Sequence, residues 1–560
     1  MRSSRRISSD AGWMSGRDEV MAVPYDPGLV DAFLALHFAY RPVDATFMGD
    51  RRHDHRLPPA KAETEAEELA ELAALKARLE ETEEPEDLGQ RLDRRLMLSE
   101  IVIRERAADT WSRFDNPAWF SGEAAFSIVS LLLPQSAPVR EDALLARLGK
   151  IQGFLSDSAE RLKDKSVPSA WSARALRECR AMAGFLREDI TLHEAFAKSW
   201  SEPAARAADA FDAFAQTLGR HADRPARCGE AYMAELMQTL HGLDLSPRQA
   251  VALAEDAFLR LGRELEEMAA AIDPSKTAEQ LIGELLQNRP ASAEDAFESY
   301  RAWDIKAREM GRTLVTPAED YGLDYRLQAP CFRRLAGSLY FLFYRSPPGL
   351  NPGTGSVYWV TPPGDDAEAY LAANAKAVVK TVHSVHHGSI GHHTQNARAR
   401  MAASRLARIA GTDCALGLAF LGSGTLIEGW ACYCVDLLAE ADGFYTPQEL
   451  LLLKQSERRN AASVMVDIKL HLGDWTIDEA AAFYRDRAGF APARVQNEVV
   501  RNSMLPGSRL MYWLGVEGIK ALRARWPGET KDFHDTLLSY GHLPLAWIGE
   551  EMQRAGLLRT

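Results

Sequence analysis

TVHSVHHGSIGHHTQ, residues 381–395, holds five of the chain's fourteen histidines, at positions 383, 386, 387, 392 and 393. Five imidazoles within eleven positions make a dense set of nitrogen donors, the kind that holds a metal ion. A polar, histidine-rich loop that takes up metal adventitiously is the competing reading. Spacing decides which rings can share an ion. On a regular helix, residues four apart lie one above the other, which pairs His383 with His387. His386 and His393, seven apart, also share a face. His386 and His392, six apart, do not. Yet Gly388 and Gly391 bracket Ser389 and Ile390, and two glycines weaken a helix interior. A break or bulge at GSIG would swing His392 back beside His386.

Metal sites in helical hydrolases often draw a third ligand from a later helix, commonly a carboxylate. Glu428 in LIEGWACY is the best candidate. It sits in an apolar run where an unpaired carboxylate would be costly. Cys432 and Cys434 lie close by. They read as small buried residues, with soft ligation as the alternative.

Outward from this stretch the pattern is mainly helical. DAFLALHFAY (31–40) has apolar residues at helical spacing. Residues 60–87 are rich in Ala, Glu, Leu and Lys and predict a long amphipathic helix, stopped at EEPED by Pro85. Helices are expected over 91–108, 141–164, 172–189 and 202–222. Another spans 246–272, where Ser246 and Pro247 make an N-cap and first helical residue. No fixed-period repeat argues for a solenoid. Between 316 and 364 Pro and Gly become dense. SLYFLFYR (338–345) and GSVYWVTPP (355–363) predict two short strands. PPGLNPGTG reads as a hairpin connection between them, with a loop over the cleft as the alternative. A helix then resumes over 367–387 and runs into the histidines. ARARMAASRLARIA (397–410), the Glu428 segment and three or more further helices follow.

The fold expected is mainly α, with a small β element before the metal-site helix. Residues 1–23 read as a flexible leader, 24–300 as a helical N-terminal region, and 301–560 as a C-terminal region carrying the site. The two regions are expected to pack as one unit. A net charge of −13 argues against a nucleic-acid surface. There is no long apolar run for a membrane span and no apolar stretch after the basic N-terminus for a Sec-type signal. Six scattered cysteines suit free thiols in a reducing cytosol, so a cytoplasmic location is expected.

GHHTQ with a histidine six before it, and EGWA some forty residues later, resemble the bacterial domain-of-unknown-function 885 family. That family's motif reads H-E-A-x-P-G-H-H-x-Q, followed by E-G-W-A-x-Y. VDIKLHLGDWT resembles its V-D-x-x-x-H-x-x-x-W segment, through Asp467, His471 and Trp475. EVVRNSMLPGSRLMYWLG resembles a further block, through Glu498, Arg501, Pro506, Gly507, Tyr512 and Gly515. FHDTLLSYGHLPL resembles its closing segment. The similarity extends over about residues 24–556. It implies a zincin-like helical metallohydrolase architecture related to metallopeptidases, with His386, His392 and Glu428 as metal ligands. Zinc is the implied metal, with iron or another divalent cation as alternatives.

The departures from the motif are specific. His387 stands where the family carries the glutamate that activates metal-bound water. Ile390 replaces its proline, Asn502 a tyrosine and Ser508 a glutamine. Asn460 and Ser463 replace two arginines, and Val435 a glutamate. Histidine, with an ordinary pKa of ~6.5, can serve as a base. His387 is therefore the expected base, with His471, Tyr512 and Arg501 positioning or stabilising an oxyanion. Loss of the arginines suggests a small or less charged substrate: an amide, carbamate, ester or peptide-like compound. Arg333, Arg334 and Arg345 are the alternative anchors for a carboxylate. The function expected is a metal-dependent hydrolase. The alternatives are a catalytically inactive metal-binding relative and a non-hydrolytic metal enzyme of lyase or non-haem iron type.

Overall fold

Where the helices begin follows from their caps. Ser246, Thr277, Thr446 and Thr476 each accept a backbone N–H from the residue three on, whose own Gln or Glu side chain reaches back to the cap. These reciprocal capping boxes satisfy donors that a helix N-terminus would otherwise leave unpaired. Ser246 thus starts the helix Pro247–Ile272, as its sequence implies. The computed structural model describes residues 23–133, 138–319, 322–339, 344–351, 355–364, 366–414, 421 and 424–559. The leader expected over 1–23 lies almost entirely outside them.

The chain is mainly α with a small three-stranded sheet. Helices form over Gly28–Tyr40, Ala62–Glu80, Leu88–Thr110, Glu141–Leu162, Ser169–Arg187 and Ser201–Ala215, close to the predicted spans. Pro117–Leu132 is buried along its whole length and packs against Glu141–Leu162 and Ser169–Arg187, which in turn pack on Ser201–Ala215. One continuous buried apolar cluster draws side chains from Leu29 to Leu558, on both sides of residue 300. A second surrounds Pro447–Leu472, which packs along Pro247–Ile272. Among the described residues no helix is long and apolar enough to cross a membrane.

The sheet consists of β1 (Leu323–Leu327), β2 (Tyr344–Arg345) and β3 (Ser356–Val360), in the order β1-β3-β2. β2 runs antiparallel to β3, as a hairpin requires, while β1 runs parallel to it. β1 has no apolar alternation to announce it: LDYRL buries only Tyr325 fully. Three expectations change. Ser338 and Leu339 close a short helix, Arg333–Leu339, so only Tyr344 and Arg345 of SLYFLFYR pair as a strand; 340–343 lie outside the described residues. The 60–87 helix ends at Glu80, before Pro85 is reached. ARARMAASRLARIA is helical only to Ala399, after which turns follow.

Two pairs of close crossings fix the site's frame. Helix Thr425–Leu437 packs on Leu510–Arg525. A Cβ on Gly429 would stand 2.7 Å from the Gly515 Cα, so the two glycines let these backbones touch. Asp467, fully buried on Pro447–Leu472, accepts backbone N–H groups from Gly507 (3.0 Å), Arg509 (2.7 Å) and Leu510 (3.2 Å). It thereby pins the Pro506–Arg509 turn. Asp467→Ala would orphan three buried donors. It is expected to destabilise the protein by about 3 kcal/mol, read as a lower urea midpoint at unchanged slope. A midpoint equal to wild type would refute this role.

Candidate functional site

The histidine segment is not a regular α-helix. Residues 367–387 break at Asn374 and Ala375, and Val379–His387 is wound as a π-helix. Its i→i+5 pairing abolishes the four-residue register expected to stack His383 on His387. His383 instead meets the Tyr358 hydroxyl through Nδ1 at 2.5 Å. The π-helix is held from within by Lys380, whose buried ammonium contacts the Phe444 carbonyl and Glu449.

GSIG then reverses the chain. A Cβ on Gly391 would overlap the carbonyl oxygens of Val385 and His386, and one on Gly388 would lie 2.5 Å from the Ser384 carbonyl. Both positions need glycine because the loop lies directly on the end of the helix it follows. Asp304 accepts the Ser389 N–H at 2.6 Å, and the Trp430 indole donates to the Ile390 carbonyl at 2.9 Å. Trp430 sits two residues after Glu428, so one helix supplies both the carboxylate and the tie to the loop. His392 opens the next helix, His392–Ala399.

The break returns His392 to His386, as GSIG suggests. Their ring centroids lie 5.0 Å apart. Glu428 Oε2 is 3.8 Å from His386 Nε2 and 3.7 Å from His392 Nε2. Donor atoms of His386, His387 and His392 all lie within 4.8 Å of one another. Two ligands ~2.0 Å from a tetrahedral zinc lie ~3.3 Å apart, so these groups stand near metal-binding separation. Burial, reinforced by the neighbouring imidazoles, holds His386 and His387 well below the ordinary histidine pKa. They are neutral, the form that offers a lone pair to a cation. His387 Nδ1 is buried without a hydrogen-bond partner among the described residues. An orphaned nitrogen of this kind, beside two others and a carboxylate, fits a cation.

Gln395 decides the tautomer of His392. Its amide nitrogen donates to the Leu426 carbonyl at 2.9 Å, so its oxygen faces His392 Nδ1 at 3.1 Å. His392 Nδ1 therefore carries the proton, and Nε2 presents its lone pair toward Glu428 and His386. Gln395→Leu is expected to weaken metal binding ~10–100-fold while the fold persists, read by titration with a metal-buffered chelator. Unchanged affinity would mean that the ring needs no such orientation. His393, fully buried, turns the other way, with Nδ1 3.2 Å from Ser356 Oγ on β3. Tyr344 of β2 lies face-on to both His387 and His392, at 6.4 and 6.1 Å, so the sheet roofs the cluster.

Arg501 and Tyr512 stand within electrostatic reach of Glu428, and burial together with that carboxylate raises the Tyr512 pKa. His471 is placed differently. It is fully buried, its Nε2 donates to the Asn502 carbonyl at 2.9 Å, and it meets Trp111 edge-on at 5.3 Å. It supports a wall instead of facing the cluster. Cys434 is buried, its thiol donating to the Ala431 carbonyl, and Cys432 accepts from Asn460. Arg334 is engaged by Glu188 and Asp189, and Arg345 lies buried against the Asp413 carbonyl. Arg333 is exposed, whereas Arg501 lines the pocket beside Glu428.

From Glu428 a pocket of about 320 Å³ extends toward Trp111, Trp119 and Trp171, with Arg501, His241 and Ser508 on its wall. The three tryptophans come from elements far apart in sequence, and nothing local in the chain marked them. Asp304 and Gln395 likewise depend on distant partners, Ser389 and the Leu426 carbonyl.

No curated protein matches the chain. Two solved structures share its fold, and each is described as a "putative lipoprotein". The one from Shewanella oneidensis, of unknown function, has a TM-score of 0.75 at 17% identity, covering 94% of this chain and 99% of its own. The one from Colwellia psychrerythraea has a TM-score of 0.74 at 18% identity, covering 94% and 98%. At such identity the likeness is one of fold. The family of bacterial proteins of unknown function designated DUF885 matches residues 42–552, and the chain belongs to that family.

Proposed function

We propose that the protein is a metal-dependent hydrolase, similar to zinc metallopeptidases in a zincin-like helical architecture, with His387 in place of the motif's glutamate. The observation that carries this reading is the convergence of His386 Nε2, His392 Nε2 and Glu428 on one point, with the His392 lone pair directed there by Gln395. Zinc is the metal proposed, with iron or another divalent cation as alternatives. Such an ion supplies Lewis acidity and makes water easier to deprotonate. His387, neutral in its buried setting, accepts a proton at a ring nitrogen and returns it to the leaving group. Arg501 and the protonated Tyr512 face the negative charge that develops on the substrate oxygen. The tryptophan wall excludes bulk water. The substrate is a small amide, carbamate, ester or peptide-like compound.

A second reading is favoured by the unpartnered His387 Nδ1. If that nitrogen is a fourth ligand, three imidazoles and a carboxylate leave a tetrahedral ion no open position. Such a site suits an inactive metal-binding relative or a non-hydrolytic enzyme. Turnover of small aryl amides, esters and carbamates by the zinc-loaded protein separates the two. Wild type is expected to turn over. His387→Ala is expected to lose ~10²–10⁴-fold in rate with its metal retained, and His387→Glu to recover part of it. Loss of the metal from His387→Ala would instead establish the fourth ligand. On location, the cysteine pattern favours the cytoplasm and the naming of the two structural relatives favours the cell envelope; cell fractionation decides between them.

A further inference from the structure

The pocket beside Glu428 has three polar groups with unmet bonding capacity and an aromatic lining. Arg113 is paired with Glu68 at 2.8 Å, and Arg174 with Glu178 at 2.8 Å. Arg501, half-buried on the pocket wall, makes no hydrogen bond or ion pair among the described residues. Glu498, the carboxylate nearest to it in sequence, is engaged by Arg494 and Arg509. His241 is 2% exposed, and its Nδ1 has no partner among the described residues. The same holds for Ser508 Oγ. A buried polar atom without a partner is costly, and a guanidinium with no hydrogen-bonded partner is a ready fork for a carboxylate. Two of these, the Arg501 guanidinium and the Ser508 hydroxyl, are donors on one pocket wall, and they point to a ligand that supplies the missing acceptor.

The rest of the lining specifies the ligand's body. The Trp171 indole donates to Ser503 Oγ at 2.9 Å and the Trp111 indole to the Met504 carbonyl at 3.2 Å. The two rings cross edge to face at 5.3 Å. Their orientations are thus set before a ligand arrives, which lowers the cost of binding a flat group. A volume of about 320 Å³ holds an aryl ring with a short acyl chain.

We propose that this pocket binds an aryl compound bearing a carboxylate, its ring between Trp111, Trp119 and Trp171 and its carboxylate on Arg501 and Ser508. This names the substrate class of the hydrolase reading and rests on that reading for its chemistry. In that placement Arg501 serves the substrate's carboxylate, and of the two groups proposed for the developing oxyanion Tyr512 is the one left to it. Ser508 stands where the family motif carries a glutamine, so the hydroxyl is a feature of this chain.

The test is made on chelator-treated protein, so it is independent of any metal. Hippurate (N-benzoylglycine) is titrated while tryptophan fluorescence is followed, with hippuramide as its uncharged counterpart. Expected are saturable quenching by hippurate, at least tenfold weaker binding of hippuramide, and at least tenfold weaker hippurate binding by Arg501→Gln, with Arg501→Lys intermediate. Circular dichroism checks that the variants fold. Equal affinity for hippurate and hippuramide would overturn the proposal, as would no saturation by hippurate at millimolar concentration or a folded Arg501→Gln that binds like wild type. Failure of the hydrolase reading shows separately, as absent turnover by zinc-loaded protein that still binds hippurate.

Discussion

His386→Ala and Glu428→Ala are each expected to abolish stoichiometric metal binding. Each removes one of the donors that converge at 3.7–3.8 Å, and His387 alone does not restore the set. The loss should exceed the ~10–100-fold that follows from disturbing a group that merely orients a ligand. Elemental mass spectrometry of gel-filtered protein reads it directly. Zinc should also raise the thermal midpoint of wild type and not of either variant, because a ligand stabilises only the state that binds it. His383→Ala and His393→Ala are the controls. Their rings are committed to Tyr358 and Ser356, so both variants should keep the metal. Graded loss across all five histidines would mark an adventitious histidine-rich loop, and a metal-free wild type after reconstitution would end the hydrolase reading.

Gly391→Ala is expected to cost about 2–4 kcal/mol of stability and to take the metal site with it. The added methyl would overlap two backbone carbonyls, those of Val385 and His386, at the end of the π-helix. Backbone does not swing aside as a flexible side chain does, so the loop must lift and carry His392 away from His386. Gly153→Ala is the comparison. That glycine lies within Glu141–Leu162 with nothing within 4 Å of its Cβ direction, so alanine there should stabilise by about 0.5–1 kcal/mol. Urea midpoints of the two variants should move in opposite directions. A Gly391→Ala protein as stable as wild type, with metal bound, would show that the close crossing is not required.

These expectations divide between what lies along the chain and what does not. Helix after helix was legible because each carries its own information: apolar residues at helical spacing, and a cap such as Ser246 or Thr446 at the start. The approach of His392 to His386 was legible because two glycines three residues apart, Gly388 and Gly391, break the helix between them. Glu428 stood out as a charge in an apolar run. β1 escaped because Asp324 and Arg326 interrupt its apolar pattern; it is a strand through its parallel pairing with β3. His471 shows the opposite case. Its place in a motif marked it for chemistry, while its hydrogen bond to Asn502 makes it part of the packing.

By itself, then, the sequence determined a mainly helical chain and the glycine loop that reverses between His386 and His392, since capping, periodicity and glycine all act over a few residues. Only the tertiary structure decided the π-helical winding, the tautomer of His392, the exclusion of His383 and His393, and the pocket of Trp111, Trp119, Trp171 and Arg501. Each of these depends on partners tens to hundreds of residues away. Such contacts are set by packing and hydrogen-bond satisfaction across the core, and no local stretch of the chain encodes them alone.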